Sequence, residues 1–197
     1  MTRPRTTNRL TRTLGAAALI AAAVSASACN GSPDATQTPS TTVPSSTPTP
    51  TPSTPAPPAL PAEAKGLTVE SADAFTRFYL QLLEHAQATG NTTSLKAWSD
   101  AGCIGCGQAI RHIDSVEGSG GSYSGDFAYN GVQISKVRLN QKKAAEVRLS
   151  ASVGKHTLVP SPGATPTIYP GEKVSWVLTL VARRGQWIAY ELEDEKG

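Results

Sequence analysis

The sequence predicts an α+β domain in which N-terminal helices pack on a curved, cone-like antiparallel β-sheet. Three observations carry that expectation. Between residues 71 and 116 the large apolar residues recur at helical spacing. After Gly118-Ser119-Gly120-Gly121 the period falls from 3.6 to 2. Helical segments come first and strands afterwards, which gives segregated layers rather than alternating βαβ units.

Each element has its own signal. Ser71 is expected to cap the first helix, with Asp73 in its first turn, where negative charge is favoured. Phe75, Phe78, Tyr79, Leu82, Leu83 and Ala86 follow as one apolar stripe, and Gly90 ends it. A short second helix covers Thr93 to Ser99 and buries Leu95 and Trp98. A third begins near Cys106 and buries Cys106, Ile110 and Ile113, with Ala109 and Val116 close by.

Among the strands, Val132 and Ile134 alternate, while Val137 and Leu139 alternate on the opposite parity. That change predicts a bulge between them. Asn140 to Lys143 reads as a turn. Ala145, Val147, Leu149, Ala151 and Val153 then alternate with polar residues, as in a half-buried antiparallel strand. Pro160, Pro162, Pro166 and Pro170 mark a long loop. Val174, Trp176, Leu178 and Leu180 open another strand, Arg183-Arg184-Gly185 turns it, and Trp187 to Leu192 returns. One amphipathic helix across the concave face of such a sheet would close the core.

The domain, 63–197, is preceded by two segments of different character. Residues 1–28 carry Arg3, Arg5, Arg9 and Arg12 with no acid, then an apolar run of eleven residues from Leu14 to Val24. That is the layout of a secretory signal, and about 20 apolar residues would be needed to span a bilayer. Ala26-Ser27-Ala28 suits ordinary signal-peptidase cleavage; followed by Cys29, the same residues suit a lipobox, although leucine is usual where Ala26 stands. An odd cysteine in an exported chain asks for an explanation, and lipidation of Cys29 leaves Cys103 and Cys106 to pair. Acyl chains of the palmitate type then anchor the protein. Residues 29–62 form a linker: from residue 30 onward 23 of 33 positions are Pro, Ser or Thr. Such a stretch cannot offset its ordering entropy by burial and extends as a semi-rigid spacer, open to O-glycosylation.

Processing also changes the charge. The full chain carries a formal +3. Without residues 1–28, fourteen basic residues face fifteen acidic ones, a net −1. Charge therefore gives no reason to expect a nucleic-acid partner.

The order of three helices and then a meander of bent strands resembles the cone fold of the nuclear-transport-factor-2-like superfamily. From Ala62 onward the chain is also similar to an uncharacterised family of lipoproteins from high-GC Gram-positive bacteria. The residues behind that likeness are Ala86-Gln87-Ala88-Thr89-Gly90-Asn91-Thr92, then Leu95, Ser99, Cys103-Ile104-Gly105-Cys106 and Gly120-Gly121. The resemblance implies a location and a fold, without an activity. It also implies an apolar cavity at the open end of the cone, which Tyr79, Trp98, Trp176, Trp187 and Tyr190 could line or, as core residues, fill.

Three chemistries suit Cys103 and Cys106. A structural disulfide fits an oxidising compartment and would pin the entry to the third helix. A redox dithiol would draw on the helix N-terminus, yet a helix precedes the motif where thioredoxin-like proteins place a strand. A zinc site would draw on His112, and His85 and His156 would have to converge by folding. No nucleophile–base–orienter set, phosphate loop or cofactor fingerprint is visible. His85 also suits a bland role at a helix C-terminus.

The functional expectation is a lipoprotein on the outer face of the cell membrane. Its small extracytoplasmic domain would bind a ligand or a protein of the cell wall or envelope. The alternatives are an envelope thiol-disulfide oxidoreductase using Cys103 and Cys106, or a small-molecule enzyme of the cone fold.

Overall fold

The first helix, α1 (Val69–Thr89), starts one turn earlier than Ser71 alone would suggest. In the computed structural model, which describes residues 55–140 and 143–195, Thr68 is the cap. Its hydroxyl accepts the Ser71 amide at 3.1 Å, and the Ser71 hydroxyl accepts the Thr68 amide at 2.9 Å. This reciprocal cap satisfies two N–H groups that the helix itself cannot. The described residues all lie in the compact unit Pro50–Gly197. Residues 1–28, Cys29 and the linker as far as residue 54 lie outside them.

The apolar stripe of α1 is buried throughout, and Gly90 closes the helix in the left-handed region at φ 73°. The second helix, α2 (Thr93–Ala97), is shorter than expected. The third, α3 (Ile104–Gly118), begins two residues before Cys106 and is capped by Cys103. Thr92 donates to Asp114 at 2.6 Å and Lys96 pairs with it at 2.8 Å, which joins α2 to α3.

Seven strands follow among the described residues: β1 (Ser122–Gly125), β2 (Tyr129–Leu139), β3 (Ala144–Val153), β4 (His156–Val159), β5 (Thr167–Tyr169), β6 (Glu172–Arg183) and β7 (Gln186–Asp194). They form two sheets. The larger has the order β2-β3-β6-β7, antiparallel throughout. Its β2–β3 register shifts between Ile134 and Lys136, where the change of parity predicts a bulge. The β6–β7 turn places Arg184 (φ 52°) and Gly185 (φ 81°) consecutively in the left-handed region, the geometry that matches the twist of a two-residue hairpin. α1 lies over β2 and β3, and α3 over β7. The α+β class and the helix-on-sheet order are therefore as expected.

Phe75, Phe78, Tyr79, Leu82, Leu149, Leu178, Leu180 and Trp187 fill the space between helix and sheet. Burying each such side chain contributes about 1.5–3 kcal/mol. Two large polar side chains that enter this core are paired. The Trp187 indole donates to the Ser71 hydroxyl at 2.9 Å. Tyr79 and Ser99 meet at 2.8 Å; because Ser99 gives its proton to the Leu95 carbonyl at 2.7 Å, Tyr79 is the donor between them. The backbone after α2 adds itself to the sheet: Asp100 donates to Ala189, and Ala189 to Trp98. This short parallel bridge covers part of the β7 edge.

The smaller sheet, order β1-β4-β5, corrects the expectation of one long loop between β3 and β6. Its strands have only three or four residues, too few to display alternation. The prolines punctuate it: Pro160 follows β4, while Pro166 and Pro170 flank β5.

Candidate functional site

Cys103 and Cys106 form a disulfide with Cα atoms 5.3 Å apart. The Cys103 sulfur accepts the Cys106 amide at 3.1 Å and so caps α3. Between them, Gly105 has a packing role that the motif alone does not reveal. A Cβ there would collide with the Leu192 carbonyl oxygen, so glycine lets α3 lie directly on β7. Cys103 is 4% exposed and Cys106 fully buried. Thiol–disulfide exchange requires an attacking thiolate to reach a sulfur. This burial suits a structural bridge and works against a catalytic one.

The five aromatic residues considered for a cavity are not brought to one place. Tyr79 and Trp187 are buried in the core with their polar atoms paired. Trp98 meets Phe75 and Phe78 edge-on at 5.8 and 5.4 Å. Trp176 packs on Tyr129 at 5.3 Å and donates to Asp194 at 3.0 Å. Tyr190 is exposed. The reason is volume: Phe75, Phe78 and Tyr79 from α1 occupy the space that such a cavity would need.

A pocket forms instead between the two long helices and the first strand of the smaller sheet. The C-terminal half of α1 and that of α3 supply two walls, and β1 the third. Gln87, Ala88, Ile113, Val116, Glu117 and Tyr123 line it, and it encloses about 140 Å³. Gly121 lets α3, β1 and the end of β4 approach closely. Its amide returns to the Val116 carbonyl at 2.8 Å, and a Cβ on it would collide with the backbone of Val159 and Pro160. Adjoining it through Ala88, an open groove of about 520 Å³ is bordered by Glu84, His85 and Phe127.

The electrostatics of this end differ from those of the core. Three buried side-chain polar atoms have no partner among the described residues: His85 Nε2, Gln87 Oε1 and Tyr123 Oη. All three belong to residues of the pocket or of the adjoining groove. Buried polar groups are normally paired, and an exception asks for a cause. Burial pushes the Tyr123 hydroxyl up to about 12, with Tyr169 adding to the shift. Burial also raises Glu84 above its ordinary value of 4.5; the Tyr129 amide it accepts at 2.6 Å opposes this, and the charge of Asp126 adds to it. Rings continue from here across the smaller sheet. His112 meets Tyr123 at 6.1 Å, Tyr123 meets Phe127 at 5.9 Å, Phe127 meets His156 at 5.2 Å, and His156 stacks on Tyr169 at 4.9 Å.

The three histidines weighed as metal ligands therefore sit apart in role: two in aromatic contacts, one facing the groove. No group of three or more His, Cys, Asp or Glu side chains suited to a metal occurs among the described residues. No helix among them is long and apolar enough to cross a membrane.

Sequence reasoning missed Gln87 and Tyr123 as site residues. A signal was present. The segment Ala86-Gln87-Ala88-Thr89-Gly90 and the pair Gly120-Gly121, which carry the family likeness, come together around this pocket.

The chain belongs to a family of unknown function, DUF6318, whose model matches residues 41–193. No curated protein matches it. Among solved structures, the intermembrane space region of the chloroplast protein ARC6 is similar, with a TM-score of 0.55 at 10% identity. The likeness covers 64% of this chain and 95% of that one, and shows a shared fold. Aln2 from a Streptomyces species aligns with a TM-score of 0.42 at 14% identity, over 66% of this chain and 94% of that one.

Proposed function

We propose that this member of a family of unknown function is a ligand-binding domain, with its site in the pocket between α1, α3 and β1. The observation that supports this reading is that two of the three unpartnered buried polar atoms belong to Gln87 and Tyr123 in the wall of this pocket, with the third, on His85, in the groove beside it. Each is costly to leave unsatisfied, by about 1–3 kcal/mol. A ligand toward which these side chains turned, and which supplied the missing partners, would recover that cost on binding. In the main core, by contrast, the Tyr79 hydroxyl and the Trp187 indole have partners within the domain.

Within the same proposal, the domain works at the outer face of a cell membrane. A lipid on Cys29 holds it there and the proline-rich linker carries it outward. Support comes from the sequence: the basic and apolar segments before Cys29, and a cysteine count that pairs the other two.

Two measurements test the two halves separately. Fragment screening by NMR on the isotope-labelled mature chain is expected to give shifts clustered on Gln87, Val116 and Tyr123. Fragments that bind only elsewhere, or not at all, would remove the pocket from consideration. Intact mass of the protein extracted from membranes is expected to show cleavage before Cys29 and added acyl chains. An unmodified Cys29 would end the anchoring half and leave the pocket untouched.

A further inference from the structure

We infer that the outer face of the larger sheet is a self-association surface, and that its occupant is a second copy of this chain. This is independent of the pocket and of the lipid anchor.

Pleating sends alternate side chains of a strand to opposite faces. On β3 the odd-numbered residues from Ala145 to Ala151 are buried in the core, so Glu146 and Arg148 lie on the other face. The strand register then fixes two rows across that face. One runs Arg138, Glu146, Thr179, Glu191; the next runs Lys136, Arg148, Val177, Glu193. Both rows begin basic on β2 and end acidic on β7. Between these margins Val177, Thr179 and Val181 form a half-buried strip along β6. In the middle of the face Arg148 is held by Glu146 at 3.0 Å and Glu195 at 2.6 Å. The margins are not matched in this way. Among the described residues Lys136, Arg138 and Glu193 have no ion pair, and Glu191 has only the Gly105 amide at 3.4 Å. The two margins stand three strand spacings apart, about 14 Å. Salt screens exposed charges over about 8 Å, so one margin does not neutralise the other within one copy.

A second copy does so by symmetry. A two-fold axis parallel to the strands lays β2 of one copy on β7 of the other. Each row then meets itself reversed at its own level: Lys136 faces the second copy's Glu193, and Arg138 faces its Glu191. Because the axis is two-fold, each pair occurs twice. In the middle β6 faces β3, so Val181 meets the second copy's Ala144 and Val177 the aliphatic stem of its Arg148. An axis across the strands would put β2 on β2 and β7 on β7, like charge on like charge. Electrostatics therefore select the orientation as well as the partner. A four-stranded face of this length presents roughly 500 Å². Two copies bury about 1,000 Å², near the lower bound for a specific interface, so the dimer is a weak one.

Analytical ultracentrifugation tests this on the unlipidated mature chain, carrying Cys29→Ser so that no free thiol can cross-link copies. A monomer–dimer equilibrium is expected, with a Kd on the order of 10–100 μM. High salt should weaken it severalfold. Lys136→Glu and Glu193→Lys each turn two attractive pairs repulsive, and each alone should weaken the dimer about tenfold. Both positions are exposed, so the Tm of each variant should stay within a few degrees of the parent. An equimolar mixture of the two variants should associate as tightly as the parent, because every facing pair is again of opposite sign. Val181→Asp puts a charge into the apolar strip and should abolish association over the same concentrations. A chain that stays monomeric up to millimolar concentration, or that assembles beyond a dimer, overturns the inference. So does a dimer that neither charge variant weakens, which means that another surface is used. Loss in both variants without recovery in the mixture also overturns it, because β2 then does not lie on β7.

Discussion

The two sheets of this domain solve the same problem under different conditions. The larger, β2-β3-β6-β7, lies beneath α1 and buries a continuous set of large side chains, with the polar atoms of Tyr79 and Trp187 paired. The smaller, β1-β4-β5, buries little beyond Phe127 and Leu158, and neither belongs to the main core cluster. It relies on a run of ring contacts and stands beside the unpartnered atoms. The difference separates a region shaped for stability from one that carries unmet bonding capacity. Active and binding sites are expected where such cost is tolerated.

The sharpest way to break this comparison is truncation on both sides. Phe75→Ala or Leu180→Ala should cost about 3–5 kcal/mol, whereas Leu158→Ala should fall near 2, the low end for a buried leucine. Urea denaturation measures both; equal losses would mean that the smaller sheet is as firmly packed as the larger. Next comes the disulfide. Replacing Cys103 and Cys106 together by alanine should cost about 2 kcal/mol, the entropy of a very short closed loop. The lost sulfur cap on α3 adds to this. Stability that does not change would show that α3 is held by Gly105 and β7 alone.

A smaller effect separates the regions by sign. Tyr79→Phe removes a hydroxyl that donates to Ser99 and should destabilise by about 1 kcal/mol. Tyr123→Phe removes one without a partner and should be neutral or stabilising. Two losses of the same sign would undermine the contrast.

The smallest effect concerns Glu84. Its folded value is raised by burial, so the unfolded state releases its proton first as pH rises. Below the ordinary value of 4.5 both states hold the proton and the group is neutral to stability. Between the two values stability falls with pH, and above the raised value the full cost applies. Glu84→Gln can keep an acceptor for the Tyr129 amide and removes the ionisation. It should match the parent chain in acid and exceed it by a small margin near neutrality. A variant that is weaker than the parent at neutral pH would show that the charge on Glu84 is useful.

What can be read from the sequence follows the same division. The stripe from Phe75 to Ala86 is long enough for helical spacing to be unmistakable, and β3 alternates over its whole length. The bulge in β2 is legible because parity changes within one strand. The strands Ser122–Gly125 and Thr167–Tyr169 are too short for any period, and the glycines before the first and the prolines flanking the second suggest loop. The cap at Thr68 is masked by a neighbouring hydroxyl of equal merit at Ser71. Aromatic residues often line cavities, which points to the tryptophans. The pocket forms around Gln87 and Tyr123 instead, because the core rings are already committed to α1.

The indole of Trp187 reaches back 116 positions to the Ser71 hydroxyl, and Ala189 pairs with the backbone beside Trp98. The first helix of the domain is thus fastened by its last strand. Contacts of such long separation close late in folding, since loop entropy must be met before they form. A chain emerging from its N-terminus presents Ser71 116 positions before the residue that locks it. Completion waits for the final strand. A chain cut short of Trp187 would leave β6 as a bare edge and the Ser71 end of α1 untied.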